Sequence, residues 1–148
     1  MLGAFDFTTI DSPAPCASAP DGAAEEQGGV SREDLKLLCE IGVLSLAVER
    51  GEEALPIFRL IDVQQPHNAA GPIGIAMIEV SMGRERDAFA RLRSAIASRR
   101  LCVREAKAVL AIFLMGFGRH AEAKALRRDI LRGPDCGARR LIQNYGAV

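Results

Sequence analysis

LCEIGVLSLAVERGEEALPIFRLIDVQQP, residues 38–66, reads as two antiparallel helices followed by a stop. In its first half Leu38, Ile41, Gly42, Ser45, Leu46 and Val48 keep a helical period, begun upstream at Leu35, and Arg50-Gly51 supplies the turn. A second helix is expected from about Glu52 to Val63, with Ala54, Leu55, Phe58 and Ile61 on one face. Pro56 falls in its first turn, where a missing N–H matters little. Two helices of a hairpin approach closely only where small side chains sit at the crossing, so Gly42 and Ala54 mark the crossing and Phe58 fills the groove beside it. Upstream, Ser31 and Asp34 make an S-x-x-D start: a hydroxyl accepts from a free backbone N–H, and acids stand near the positive helix end.

The same arrangement recurs downstream. Gly42, Ala76 and Leu110 are 34 and 34 residues apart, whereas Ala54, Ala88 and Ala123, like Phe58, Leu92 and Arg127, are 34 and 35 apart. Gly83 and Gly118 mark the later turns, each followed by arginine and, five residues on, by alanine. One residue has been added before the third turn.

This pattern of small and bulky residues and a unit-ending proline resembles the tetratricopeptide repeat, or TPR. The resemblance covers about Leu35 to Asp135 and is strongest in the first unit. It implies an all-α fold, a TPR-like α-solenoid of about three helix hairpins over residues 31–148. A short capping helix from Cys136 to Tyr145 would cover the last open face with Leu141, Ile142 and Tyr145. The later units depart from the pattern: Pro72 and Gly74 open the second, Arg100 replaces its terminal proline, and Leu110 and Arg127 replace the small and bulky residues of the third.

Length and composition agree with one globular domain: 148 residues, 49% apolar and 26% charged. The longest strongly apolar runs, 109–117 and 72–78, fall far short of the roughly 20 residues a spanning helix needs. No membrane insertion is therefore expected. No basic patch followed by an apolar run opens the chain, so no secretory signal is read and the expected location is cytoplasmic. Cys16, Cys39, Cys102 and Cys136 stand singly, without metal-site spacing, and are expected as thiols, although a pair brought together by the fold is an alternative. Residues 1–30, rich in Pro, Gly, Ala and Ser, are expected to be a disordered acidic leader. Leu2, Phe5, Phe7 and Ile10 at its start suit docking as an apolar strip into the protein's own groove or a partner's; fraying is the alternative.

Formal charge is zero but unevenly placed: residues 1–66 carry 4 basic and 12 acidic side chains, and residues 67–148 carry 15 and 7. The halves are therefore −8 and +8, a field that orients the chain toward a charged partner or its own copies. The C-terminal arginines, Arg99 and Arg100 among them, lack the aromatic partners of a nucleic-acid site, since Tyr145 is the lone tyrosine and tryptophan is absent. No nucleic-acid partner is expected.

No catalytic, cofactor or metal site is read from the sequence. His67 and His120 fall at expected turns or helix starts in polar contexts and read as surface residues. Gly71-Pro72-Ile73-Gly74 lacks the lysine of a phosphate loop and the strand of a dinucleotide fingerprint.

The informative surface is the one that the TPR resemblance implies, a concave face lined by the first helix of each unit. The matching positions are Cys39, Val43 and Leu46, then Ile73, Met77 and Val80, then Lys107, Ala111, Leu114 and Met115. This lining is mostly apolar, unlike the lysine-rich clamps that hold acidic C-termini, and suits an amphipathic helix or an extended apolar segment. Small TPR-like proteins of this kind resemble the chaperones of bacterial type III secretion, which hold a needle subunit or a translocator, the needle group usually beside a small co-chaperone. The resemblance thus implies a non-enzymatic protein-binding chaperone or adaptor. The alternative is a general TPR scaffold or homo-oligomer unrelated to secretion.

Overall fold

A computed structural model describes residues 29–98, 101–134 and 137–145. Among the described residues the chain is all-α, with seven helices: α1 (Arg32–Ala47), α2 (Gly51–Gln64), α3 (Ala70–Ser81), α4 (Glu85–Ala97), α5 (Val103–Gly116), α6 (His120–Arg132) and α7 (Gly137–Tyr145). The expected disordered leader lies outside the described residues, except for Gly29 and Val30. Val30 packs against the first core, beside Leu35. Together they staple the start of α1.

The start of α1 forms as expected: the Ser31 hydroxyl accepts from the Asp34 backbone N–H at 3.1 Å and donates to the Asp34 carboxylate at 2.7 Å. All three hairpin turns then close identically. The N–H of Gly83 donates to the Val80 carbonyl and that of Arg84 to Glu79; Gly118 and Arg119 repeat this on Met115 and Leu114. In the first turn the same bonds run from Glu49 to Leu46 and from Arg50 to Ser45. These are Schellman closures, which need one left-handed residue. Gly83 (φ +72°), Gly118 (φ +76°) and Glu49 (φ +61°) supply it. The first turn therefore differs from the expected Arg50-Gly51: Gly51 opens α2, buried against Leu46, and a glutamate occupies the strained position.

Pro56 also differs from expectation. Because α2 begins at Gly51, Pro56 sits inside the helix, in its second turn, and the Glu52 carbonyl loses its helical donor. The ring is exposed, so no packing compensates.

Each helix from α1 to α6 packs on the next, and α7 rests mainly on α5. The odd-numbered helices also approach in succession, α1 on α3 and α3 on α5, whereas the backbones of α2, α4 and α6 stay apart, α4 and α6 being linked by the Arg93–Glu122 ion pair. Three cores follow one another along this stack. The first is built on Phe58 and Ile78, the second on Leu92, Leu110 and Leu114, and the third on Ile130 and Ile142. Ala54, Ala88 and Ala123 are buried at the crossings, and Ile61, Ala95 and Ile130 recur seven residues, about two turns, further on with the same 34 and 35 spacing.

Phe58 is the tightest fit. Its ring lies between Gly42 of α1 and Gly74 of α3: a Cβ at Gly42 would stand 2.7 Å from Cζ, and one at Gly74 would overlap the ring more deeply, at Cδ1, Cε1 and Cγ. Three helices thus close around one side chain.

The links between hairpins also pair. In the α2–α3 and α4–α5 connections Ala69 N–H donates to Leu101 O at 2.8 Å and Leu101 N–H donates to His67 O, a single parallel bridge that pairs Asn68 with Leu101. Leu141, Ile142 and Tyr145 cover the end of the stack as expected, joined by the fully buried Ala138.

Candidate functional site

The residues expected to line a groove do lie on α1, α3 and α5, the helices that touch in succession, but they divide into two groups. Cys39, Val43, Leu46, Ile73, Met77 and Met115 are half-buried, each packed on a core by one side and reachable from the other. Val80, Ala111 and Leu114 are 8%, 0% and 1% exposed and belong to the cores themselves. They are not surface a partner can touch. The cause is α5, whose sequence VREAKAVLAIFLMG is apolar nearly all round because α3, α4, α6 and α7 cover it. Lys107, the remaining position, reaches α6 and pairs with Asp129 at 2.5 Å.

Met115 touches both the second and third cores, and Met77 lies against the second with Ile73. Flexible thioethers at the seam between helices can repack against an incoming side chain at small steric expense. Burial pushes the Cys39 thiol above its ordinary pKa, with the Glu40 carboxylate adding to the shift. Such a thiol stays protonated and behaves as a small apolar residue. The patch is therefore apolar and uncharged.

A second feature was not read from the sequence. Because α2 and α4 stay apart, a cleft of about 300 Å³ opens between them, floored by α3 and lined by Leu55, Arg59, Asp62, Val63, Ile75, Glu79, Arg84 and Arg91. Glu79, only 6% exposed, is held there by Arg91, whose Nη2 donates at 2.6 Å and Nε at 3.1 and 3.2 Å. The carboxylate in turn raises the Arg91 pKa, against the opposing effect of burial and with help from Asp62 and Asp87. A lone glutamate in the otherwise apolar AGPIGIAMIEVS was the available signal. The cleft holds a satisfied ion pair, so its chemistry is structural.

Much of the basic excess is engaged in the same way. Arg104 donates from Nη1 to Pro134 O at 2.8 Å and from Nη2 to Ile130 O at 2.5 Å, closing the carbonyl end of α6. Arg93 pairs with Glu122 at 3.0 Å, and Arg50 and Arg119 each bind the acid three residues on. Lys107 holds the Asp129 carboxyl below its ordinary pKa. Arg99 and Arg100 lie outside the described residues. His67 and His120 are exposed, in keeping with their reading as surface residues. No group of three metal-ligating side chains occurs among the described residues, and no helix there is long and apolar enough to cross a membrane.

No family model matches the chain, and no curated protein or solved structure shows significant similarity to it.

Proposed function

We propose that the chain is a TPR-like solenoid that acts as a non-enzymatic chaperone or adaptor, holding an amphipathic helical partner against the apolar strip of α1, α3 and α5. The observation that carries this reading is the strip itself: Cys39, Val43, Leu46, Ile73, Met77 and Met115, half-buried on three successive odd-numbered helices. The packing order supports it. Odd-numbered helices whose backbones approach, while those of the even-numbered ones stand further apart, are what a curved stack gives when the odd ones line its inner side. The three equal turns at 34 and 35 residues support a repeat origin.

Burial of a partner's apolar face in the strip would keep that partner from self-association, with the uneven charge of the two halves contributing orientation. Within that reading, a needle subunit or translocator of type III secretion is the proposed cargo, on the resemblance alone, with a small co-chaperone as a further partner and the cytoplasm as the place of action. The test is co-purification from the native host. A Val43→Glu/Met77→Glu variant, with helical content unchanged by circular dichroism, is expected to lose the partner that the wild-type chain retains. Retention by the variant refutes the strip as the binding surface.

A further inference from the structure

Outside that strip, α1 carries a second apolar face. Leu37, Ile41, Leu44 and Val48 are 55%, 42%, 63% and 63% exposed, at a spacing of 4, 3 and 4 residues. That is the a/d spacing of a coiled-coil seam, narrower than the face with which a helix lies on a globular core. Polar and small residues bound the stripe, Glu40 and Ala47 on one side and Ser45 on the other. The opposite face of the same helix is committed to the first core through Leu35, Cys39, Val43 and Leu46.

We propose that the stripe pairs with the same stripe of a second copy, α1 against α1 in antiparallel register, to form a two-fold dimer. Three observations select this occupant. The first is symmetry. A spacing of 4, 3 and 4 reads the same in both directions, so a two-fold axis between Ile41 and Leu44 sets Ile41 of each copy against Leu44 of the other, and Leu37 against Val48. All four exposed side chains of the stripe are covered at once.

The second is size. The four residues expose roughly 400 Å² per copy, so a two-fold pair buries roughly 800 Å² from them alone, and the flanking residues bring the total to about 1,000 Å², the lower end for a specific contact between proteins. Such an area suits a reversible dimer with a Kd on the order of 10 μM. The third is charge. Glu33 and Asp34 stand in the first turn of α1, beside the stripe, and a parallel pair would set these acids against their own copies. The antiparallel register holds them roughly 25 Å apart along the axis and opposes the two helix dipoles. Attraction across the seam is therefore apolar and is not weakened by salt, in contrast to head-to-tail association between the acidic and basic halves of the chain. Pairing uses the face of α1 opposite Cys39, Val43 and Leu46, so this inference does not depend on the proposed function.

Sedimentation of the full chain from about 1 to 200 μM tests it, with a monomer–dimer equilibrium expected near 10 μM and unweakened at about 0.5 M salt. Leu44→Glu and Ile41→Lys, at exposed positions that folding does not need, are each expected to weaken pairing at least about tenfold, with helical content unchanged. Mixed with each other, the two variants are expected to pair again, because the antiparallel register sets the new cation of one against the new carboxylate of the other. A wild-type chain that stays monomeric throughout overturns the proposal and assigns the stripe to a different partner. A dimer that both variants leave intact overturns it as well, as does one that salt dissociates, which would be head-to-tail. A mixture that stays monomeric overturns the antiparallel register.

Discussion

Gly74→Ala puts one methyl into the slot where α1, α2 and α3 meet. In a solvent-exposed helix this change stabilises by about 1 kcal/mol, because glycine has the greater freedom to lose on folding. Here the new Cβ would overlap Phe58 at Cδ1, Cε1 and Cγ, and the ring cannot retreat, because the Gly42 backbone closes the other side. Overpacking of a filled core costs about 1–3 kcal/mol, and so deep an overlap belongs at the upper end. The net expectation is a loss of about 2 kcal/mol, or roughly 8 °C in Tm. Urea titration followed by circular dichroism measures it. Gly116→Ala is the control, since nothing lies within 4 Å of its Cβ position, and it is expected to be neutral or stabilising. Phe58→Leu in the Gly74→Ala background is expected to recover about 1 kcal/mol relative to additivity. If Gly74→Ala is as stable as wild type, or if it shows no coupling to position 58, the three-helix clamp on Phe58 is refuted.

Four further changes follow from the same structure. Pro56→Ala restores a donor to the Glu52 carbonyl and is expected to stabilise by about 1–3 kcal/mol in the same titration. Glu49→Gly relieves a left-handed non-glycine residue, strained by about 1–2 kcal/mol, and after the entropy of glycine is expected to gain about 0.5–1 kcal/mol. Arg91→Ala leaves the buried Glu79 carboxylate without its partner and is expected to lose about 2–4 kcal/mol, much of it recovered by Arg91→Ala/Glu79→Leu, as a double-mutant cycle measures. The Asp129 carboxyl is held below its ordinary value by Lys107, so its contribution is present above the unfolded carboxylate pKa and is lost as pH falls through the lower folded value. Acid titration of Lys107→Met is expected to lack that component of acid destabilisation.

The hairpin register was legible because close packing leaves few options: alanine at the crossings and glycine at the left-handed turn positions repeat at 34 and 35 residues. Two local errors arose where a residue rule met an exception. Glycine is the usual left-handed residue, so the sequence points to Arg50-Gly51 as the turn; Glu49 holds the left-handed position instead and α2 starts early enough to bring Pro56 into its second turn. The half-buried apolar strip was legible on α1, at Cys39, Val43 and Leu46, but on α3 only at Ile73 and Met77, because Val80 belongs to the core and the charged Glu79 is buried rather than outward. On α5 it was not. A helix apolar on every side gives no phase, and only packing shows that Ala111 and Leu114 face α6, α7 and the second core while Met115 stays reachable. The Glu79–Arg91 pair joins residues 12 apart across a hairpin, a proximity set by the crossing rather than by either helix alone.

Leu114→Glu would bury a charge at a 1% exposed position and unfold the second core, so partner binding is better tested without disturbing the fold. Site-specific photo-crosslinking in the native host does this, with the reactive residue placed at Met77 or Met115 and, as controls, at the exposed Arg86 and Lys124 of the even-numbered helices. The account predicts that one protein is captured at both methionine positions, through an amphipathic helical segment, and at neither control. Capture at Arg86 or Lys124 with none at Met77 and Met115 would contradict it.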